Sequence, residues 1–237
     1  MRLSPALPKA IDQRIVCRGL SLALFAASFG APGWVAAQEA PPNFEERQRP
    51  SADFKGEIAS NDVRTVAEWA IASGDGGGLP VVIIDKLRAK VFVFDARGTL
   101  LGAAPALLGL GRGDATIPGI GQRRLATIAP EERTTPAGRF QASLGNDFEQ
   151  DILWIDYDIG LSLHRVISGN PRDRRRQRLA SASPLDNRIS YGCINVPAAF
   201  YDNVVMPAFE GTVGVVYILP ETKPLEDVFP IASRAPG

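Results

Sequence analysis

The chain has 237 residues, 45% hydrophobic and 22% charged, a balance that excludes a disordered or collagenous polypeptide and supports one core of ordinary size. Its 26 basic and 26 acidic residues cancel, so no overall attraction to nucleic acid or to an anionic membrane is built in.

Residues 1–37 read as a secretory signal. Arg2, Lys9, Arg14 and Arg18 accompany an apolar run from Leu20 to Phe29, and Val35, Ala36 and Ala37 form a small-residue cleavage site. The run is about ten residues long, against the roughly 20 a spanning helix needs, so the mature chain is expected to carry no transmembrane span. Cleavage removes four basic groups and one acid, leaving 22 and 25 and a net charge of about −3. Cys17 leaves with the signal. It follows Val16 where a small residue is expected, and its apolar run comes after it, which argues against a lipid-modified cysteine.

Residues 38–78 read as a polar, Pro-containing N-terminal arm with one short helix. Val63, Val66, Ala67, Ala70 and Ile71 recur at helical spacing, and Ser60, Asn61 or Asp62 supplies the cap. From Leu79 the pattern changes to strands. "PVVIID" and "KVFVFD", separated by "KLRA", predict a hairpin, and "GTLLGAAPALLGLG" predicts a third strand. "TPAGRFQASLG", "DILWIDYD" and "LSLHRVI" follow, each bounded by turn residues. "PAAFYDNVVMPAF" predicts a helix with Pro197 at its first position, and "GTVGVVYIL" a closing strand. Residues 221–237 read as a tail. Many short strands with one or two helices predict a mainly β, mixed sandwich or barrel-like domain over residues 79–220. Phe92, Phe94, Phe140, Trp154 and Tyr157 lie in apolar strands and are expected mostly to pack the core.

Signal cleavage leaves one cysteine, Cys193, in a chain sent to an oxidising compartment, so no internal disulfide is available to it. The thiolate is the reactive form and needs a neighbouring base or cation. His164 is the only histidine in the chain, at the end of the strand-like "LSLHRV". Cys193 sits in the turn "SYGCIN", expected to lead directly into the helix. Gly192 there permits close backbone approach, and the Gly192 and Cys193 amides are candidates for an oxyanion site. One Cys and one His fall short of the four ligands of structural zinc, and the sequence calls for no metal or cofactor.

The order of "VVIID", "KVFVFD", "TPAGRF", "LHRV" and "SYGCIN" resembles the L,D-transpeptidase (YkuD-like) catalytic domain over about Leu79 to Leu219. The resemblance implies that Cys193 is the nucleophile and His164 the proton acceptor and donor. It implies that Arg165 orients the imidazole through its backbone carbonyl, and that Gly192 and Cys193 supply oxyanion amides. Ser190, Tyr191 and Asn195 fall in the substrate-side turn, with Ser190 and Asn195 holding the thiol in place. The implied partner is a peptidoglycan tetrapeptide stem, in the periplasm or cell wall, with an amine on another stem, a protein lysine or water as acceptor. Water would make the protein a carboxypeptidase or amidase.

The sequence departs from that pattern at three places. Tyr191 stands where a histidine is common, and Arg165 where Gly or Ser is common. The 29 positions from His164 to Cys193 hold an insertion with Arg172, Arg174, Arg175, Arg176 and Arg178. This loop is either a solvated surface segment or a basic cover that attracts stem carboxylates. "RGDATIPGIGQRR" is likewise either a rim loop or a substrate wall. A wall-binding module without turnover is the competing function, and redox exchange a third, disfavoured for want of a resolving cysteine.

Overall fold

The computed structural model describes residues 50–147, 150–167 and 169–231. The expected signal at 1–37 lies outside the described residues.

Strands β1 (Val81–Asp85), β2 (Lys90–Phe94), β3 (Leu100–Pro105), β5 (Gly138–Asp147), β6 (Gln150–Asp156), β7 (Leu161–Arg165), β9 (Ile194–Val196) and β10 (Val213–Ile218) form one eight-stranded sheet. Its order is β3-β2-β1-β10-β5-β6-β7-β9. The β1/β10 and β7/β9 pairs are parallel and the others antiparallel. A second, two-stranded parallel sheet joins β4 (Leu108–Gly109) to β8 (Arg188–Ser190). Leu107, just past β3, exchanges both backbone hydrogen bonds with Asn195 of β9, at 2.8 and 2.9 Å. The two ends of the large sheet thereby meet, and the domain is mainly β with a nearly closed mixed sheet.

Period-2 alternation explains why the central strands are apolar throughout. Val82 and Ile84, Val91 and Val93, Val216 and Ile218 turn inward to one core, shared with Leu153, Leu163, Ile194 and Val196. Val81 and Ile83, Phe92 and Phe94, Val215 and Tyr217 face a second core on the other side. Helix α1 (Asn61–Ala72) covers that second face with Val63, Val66, Ala67 and Ala70, all fully buried. Ser60 is its N-cap, and the same hydroxyl donates to Asp85 at 2.7 Å, tying the helix start to β1.

The packed body reaches past the expected 79–220 boundaries. Phe54 and Phe229, from the segments read as arm and tail, are buried beside α1, and Trp69 meets Tyr217 edge to face at 5.8 Å between ring centres. The polar composition of both segments masks these anchors.

The late helix is broken into α3 (Ala198–Phe200), a π turn (Tyr201–Val205) and α4 (Met206–Phe209), with Pro197 as its N-cap and not its first turn. Pro207 lacks an N–H for the α ladder, and the wider turn before it absorbs the mismatch. Among the described residues no helix is long and apolar enough to cross a membrane.

Candidate active site

Two neighbouring strands build the site. The parallel register sets Leu163 beside Ile194 and His164 beside Asn195. Alternation then puts Leu161 and Leu163 of β7 in the core, while Ser162 and His164 line a cavity of about 570 Å³. Cys193 and Asn195 line the same cavity from the adjoining chain. Cys193 does not lead straight into the helix, as the sequence suggested, because β9 intervenes. At three residues, β8 and β9 are too short for periodicity to reveal.

The Cys193 turn is held from three sides. Ser190 is buried, its Oγ donating to the Cys193 carbonyl at 2.7 Å and accepting from the Gly192 N–H at 3.1 Å. Thr135 Oγ1 donates to the Gly192 carbonyl at 2.7 Å and accepts from the Gly109 N–H at 2.9 Å. Gly192 has φ +133°, and a Cβ there would lie 2.8 Å from the Thr134 carbonyl oxygen, so only glycine fits without strain. Because the Gly192 N–H is held by Ser190, it does not stand ready for an oxyanion. Ser190 braces the turn from within and also lines the cavity.

The half-buried Cys193 thiol donates to the Gly160 carbonyl at 3.4 Å and accepts from Ser162 Oγ at 3.5 Å. Among the described contacts, the thiol's hydrogen bonds run to Gly160 and Ser162, and His164 lines the same cavity. The sulfur lies level with Ser162, whose hydroxyl meets it.

The imidazole is fixed at both nitrogens. His164 Nδ1 lies 2.7 Å from the Arg165 carbonyl oxygen and Nε2 lies 3.1 Å from Asn195 Nδ2. Burial pushes its pKa below the ordinary 6.5; the Arg165 carbonyl and Asp147 pull upward and the Arg175 charge pushes further down. The shift favours the neutral imidazole. Asn195 is buried, with both ends of its amide engaged: Nδ2 on His164, Oδ1 accepting from Arg175 at 2.8 Å. Asn195 thus contacts the imidazole while also lining the cavity.

The Arg165 side chain points away from the cavity. Its guanidinium bonds Asp202 at 2.6 Å and Asp151 at 3.0 and 3.3 Å, and lies over the Tyr201 ring. A bulky residue is accommodated after the histidine because only its carbonyl faces the imidazole. Tyr191 lines the cavity with the Arg133 guanidinium 4.1 Å from its ring centre.

Both loops left open by the sequence contribute to the cavity. Ile120, Leu125 and Ile128 of the "RGDATIPGIGQRR" region and its continuation form apolar lining of the cavity together with Ile152 and Trp154. Gly121 lets this segment approach Asp158, since a Cβ there would collide with the Asp158 carbonyl. In the insertion, α2 (Arg175–Leu179) is ordered. Arg175 and Arg178 bond within the fold, whereas Arg172, Arg174 and Arg176 are exposed.

No family model matches the chain, and no curated protein matches it. Among solved structures it is similar to the helical cell shape determining protein Pgp2 from Campylobacter jejuni, at 14% identity and a TM-score of 0.41. That match covers 61% of this chain and 49% of that one. It is also similar to the LD transpeptidase LdtMt1, solved in complex with imipenem, at 15% identity and a TM-score of 0.33, over 59% of this chain and 58% of that one. The chain therefore spans about half the length of these structures.

Sequence reasoning missed Ser162, Thr135 and Arg175. Ser162 was within reach, two residues before His164 on the same strand face. Thr135 lies in the quoted "TPAGRF", but its partner is 57 residues away. Arg175 carried no signal separating it from the four other arginines of the insertion.

Proposed function

We propose that this chain is an exported cysteine acyltransferase acting on peptidoglycan peptide stems, with Cys193 as nucleophile and His164 as the proton carrier. The observation that carries the reading is that a thiol and an imidazole, from separate elements, line one cavity large enough for a peptide.

Since Nδ1 donates to the Arg165 carbonyl, Nε2 is the nitrogen that accepts. The thiol leaves the Gly160 carbonyl, the Asn195 amide turns away from Nε2, the thiol proton passes to Nε2, and the sulfur attacks the carbonyl carbon of the bond before the terminal D-alanine of a tetrapeptide stem. The C–N bond breaks, and the departing amine takes the proton back from Nε2. A thioester remains, and an amine on another stem or a protein lysine resolves it by transfer. Ser162 Oγ, already a donor to the sulfur, stabilises the thiolate. The Cys193 N–H is the oxyanion donor left when Ser190 holds Gly192. The apolar wall of Ile120, Ile152 and Trp154 receives the alkyl part of the third stem residue.

The test is incubation with a tetrapeptide stem, with and without an added amine. Release of D-alanine that Cys193→Ala abolishes supports the reading, with a new amide formed only when the amine is present. Hydrolysis alone, indifferent to the amine, would make the protein a carboxypeptidase. Stem binding without turnover would make it a wall-binding module.

A further inference from the structure

Arg175 comes from the insertion between the two site strands and touches neither the thiol nor the imidazole. Its guanidinium can only donate, and it donates to Asn195 at 2.8 Å, so the atom it meets must be the amide oxygen Oδ1. The amide NH₂ is thereby turned toward His164 Nε2, at 3.1 Å. An NH₂ has no lone pair to offer, so Nε2 must be bare and the ring proton must sit on Nδ1, where the Arg165 carbonyl receives it at 2.7 Å. Asp173 closes the chain by accepting from Arg175 Nε at 3.0 Å. Asp173, Arg175 and Asn195 are each at least half buried, so water does not readily substitute for any of them.

We propose that Arg175, acting through Asn195, is a positioning residue that sets the tautomer of His164, keeping the proton on Nδ1 and Nε2 unprotonated. A free imidazole side chain prefers its proton on Nε2, so this arrangement is imposed by the fold. Protonation of Nε2 would set two donors face to face. The Asn195 amide must therefore turn when the imidazole takes a proton, and the Arg175 bond resists that turn. The charged groups acting on the ring are Arg175 from α2 and Asp147 from β5, and its hydrogen-bond partners are the Arg165 carbonyl and the Asn195 amide. The proposal rests on His164 being the base in the function proposed above, but its central statement concerns the proton alone.

The sequence holds a single histidine, so the imidazole nitrogens of ¹⁵N-labelled, untagged protein give one unambiguous pair of signals. Long-range ¹H–¹⁵N correlation above the histidine pKa is expected to show Nδ1 protonated and Nε2 bare. Arg175→Ala should introduce an Nε2–H population and move the titration upward toward 6.5. Arg175→Lys, which still donates to Oδ1, should restore the parent pattern, and Asn195→Asp, which cannot donate, should place the proton on Nε2. A parent protein with Nε2 protonated, or an Arg175→Ala variant with unchanged tautomer and titration, overturns the proposal. A correct tautomer in a protein that turns over no stem refutes the function and leaves this inference standing.

Discussion

Thr135 Oγ1 donates to the Gly192 carbonyl at 2.7 Å, so the segment that opens β5 fixes the backbone beside Cys193 from 57 residues away. The same hydroxyl accepts from Gly109, and the Thr135 carbonyl accepts from the buried Lys86 ammonium at 2.9 Å. The cysteine turn therefore rests on a buried polar network as well as on its own sequence.

Thr135→Val keeps the shape and removes the hydroxyl, leaving the Gly192 carbonyl and the Gly109 N–H without their partner. The expected cost is about 1–3 kcal/mol. Urea denaturation measures it. Alkylation of Cys193 should also change rate, because the turn loses its outer tie.

Gly192→Ala forces a Cβ against the Thr134 carbonyl at a backbone angle that side chains rarely adopt. A loss of about 1–3 kcal/mol is expected, with turnover falling further than stability accounts for. Gly169→Ala, with open space around its Cβ, is the control and should be close to neutral.

Beneath the turn, Lys86 contacts Asp114 at 2.7 Å and Glu221 at 3.8 Å, and Arg188 pairs with Glu221 at 2.6 Å. Burial pushes the Asp114 carboxyl upward, but hydrogen bonds from Lys86, Thr222 and the Glu221 and Thr222 amides win and hold it well below the ordinary 3.8. Its contribution is therefore complete above 3.8 and lost as pH falls through the lower folded value. Lys86→Met should cost about 3–5 kcal/mol at neutral pH, because it leaves a buried charge uncompensated. Asp114→Asn should flatten the stability profile below 3.8, which acid denaturation series can read.

His164 acts in a different window. The unfolded chain binds its proton as pH falls past 6.5, whereas the folded imidazole resists until lower pH, so stability declines across that interval and then levels off. Any rate that needs neutral His164 should hold its plateau to below 6.5. A plateau ending above 6.5 would show that another group controls the acid limb.

The central strands were legible because both faces of β1, β2 and β10 are buried, which leaves unbroken Val, Ile and Phe runs. Helix α1 was legible through its Ser60 cap and its Val63-Val66-Ala67-Ala70 stripe. The site was legible only in its chemistry-bearing residues. Cys193 and His164 stand out by being rare, but register decides what touches them. A parallel pairing that aligns His164 with Asn195 and the thiol with Ser162 is a long-range fact with no local trace. Arg175 was hidden for a related reason, since one arginine among five is singled out only by the turn that follows Asp173.

The most direct measurement is the intact mass of the purified protein after incubation with a carbapenem, a strained amide that a competent thiolate opens and retains. One covalent adduct per chain, mapped to Cys193 and absent from Cys193→Ala, is the predicted result. An unchanged mass, with the thiol free to alkylate and the fold intact, would contradict an acyl-accepting Cys193.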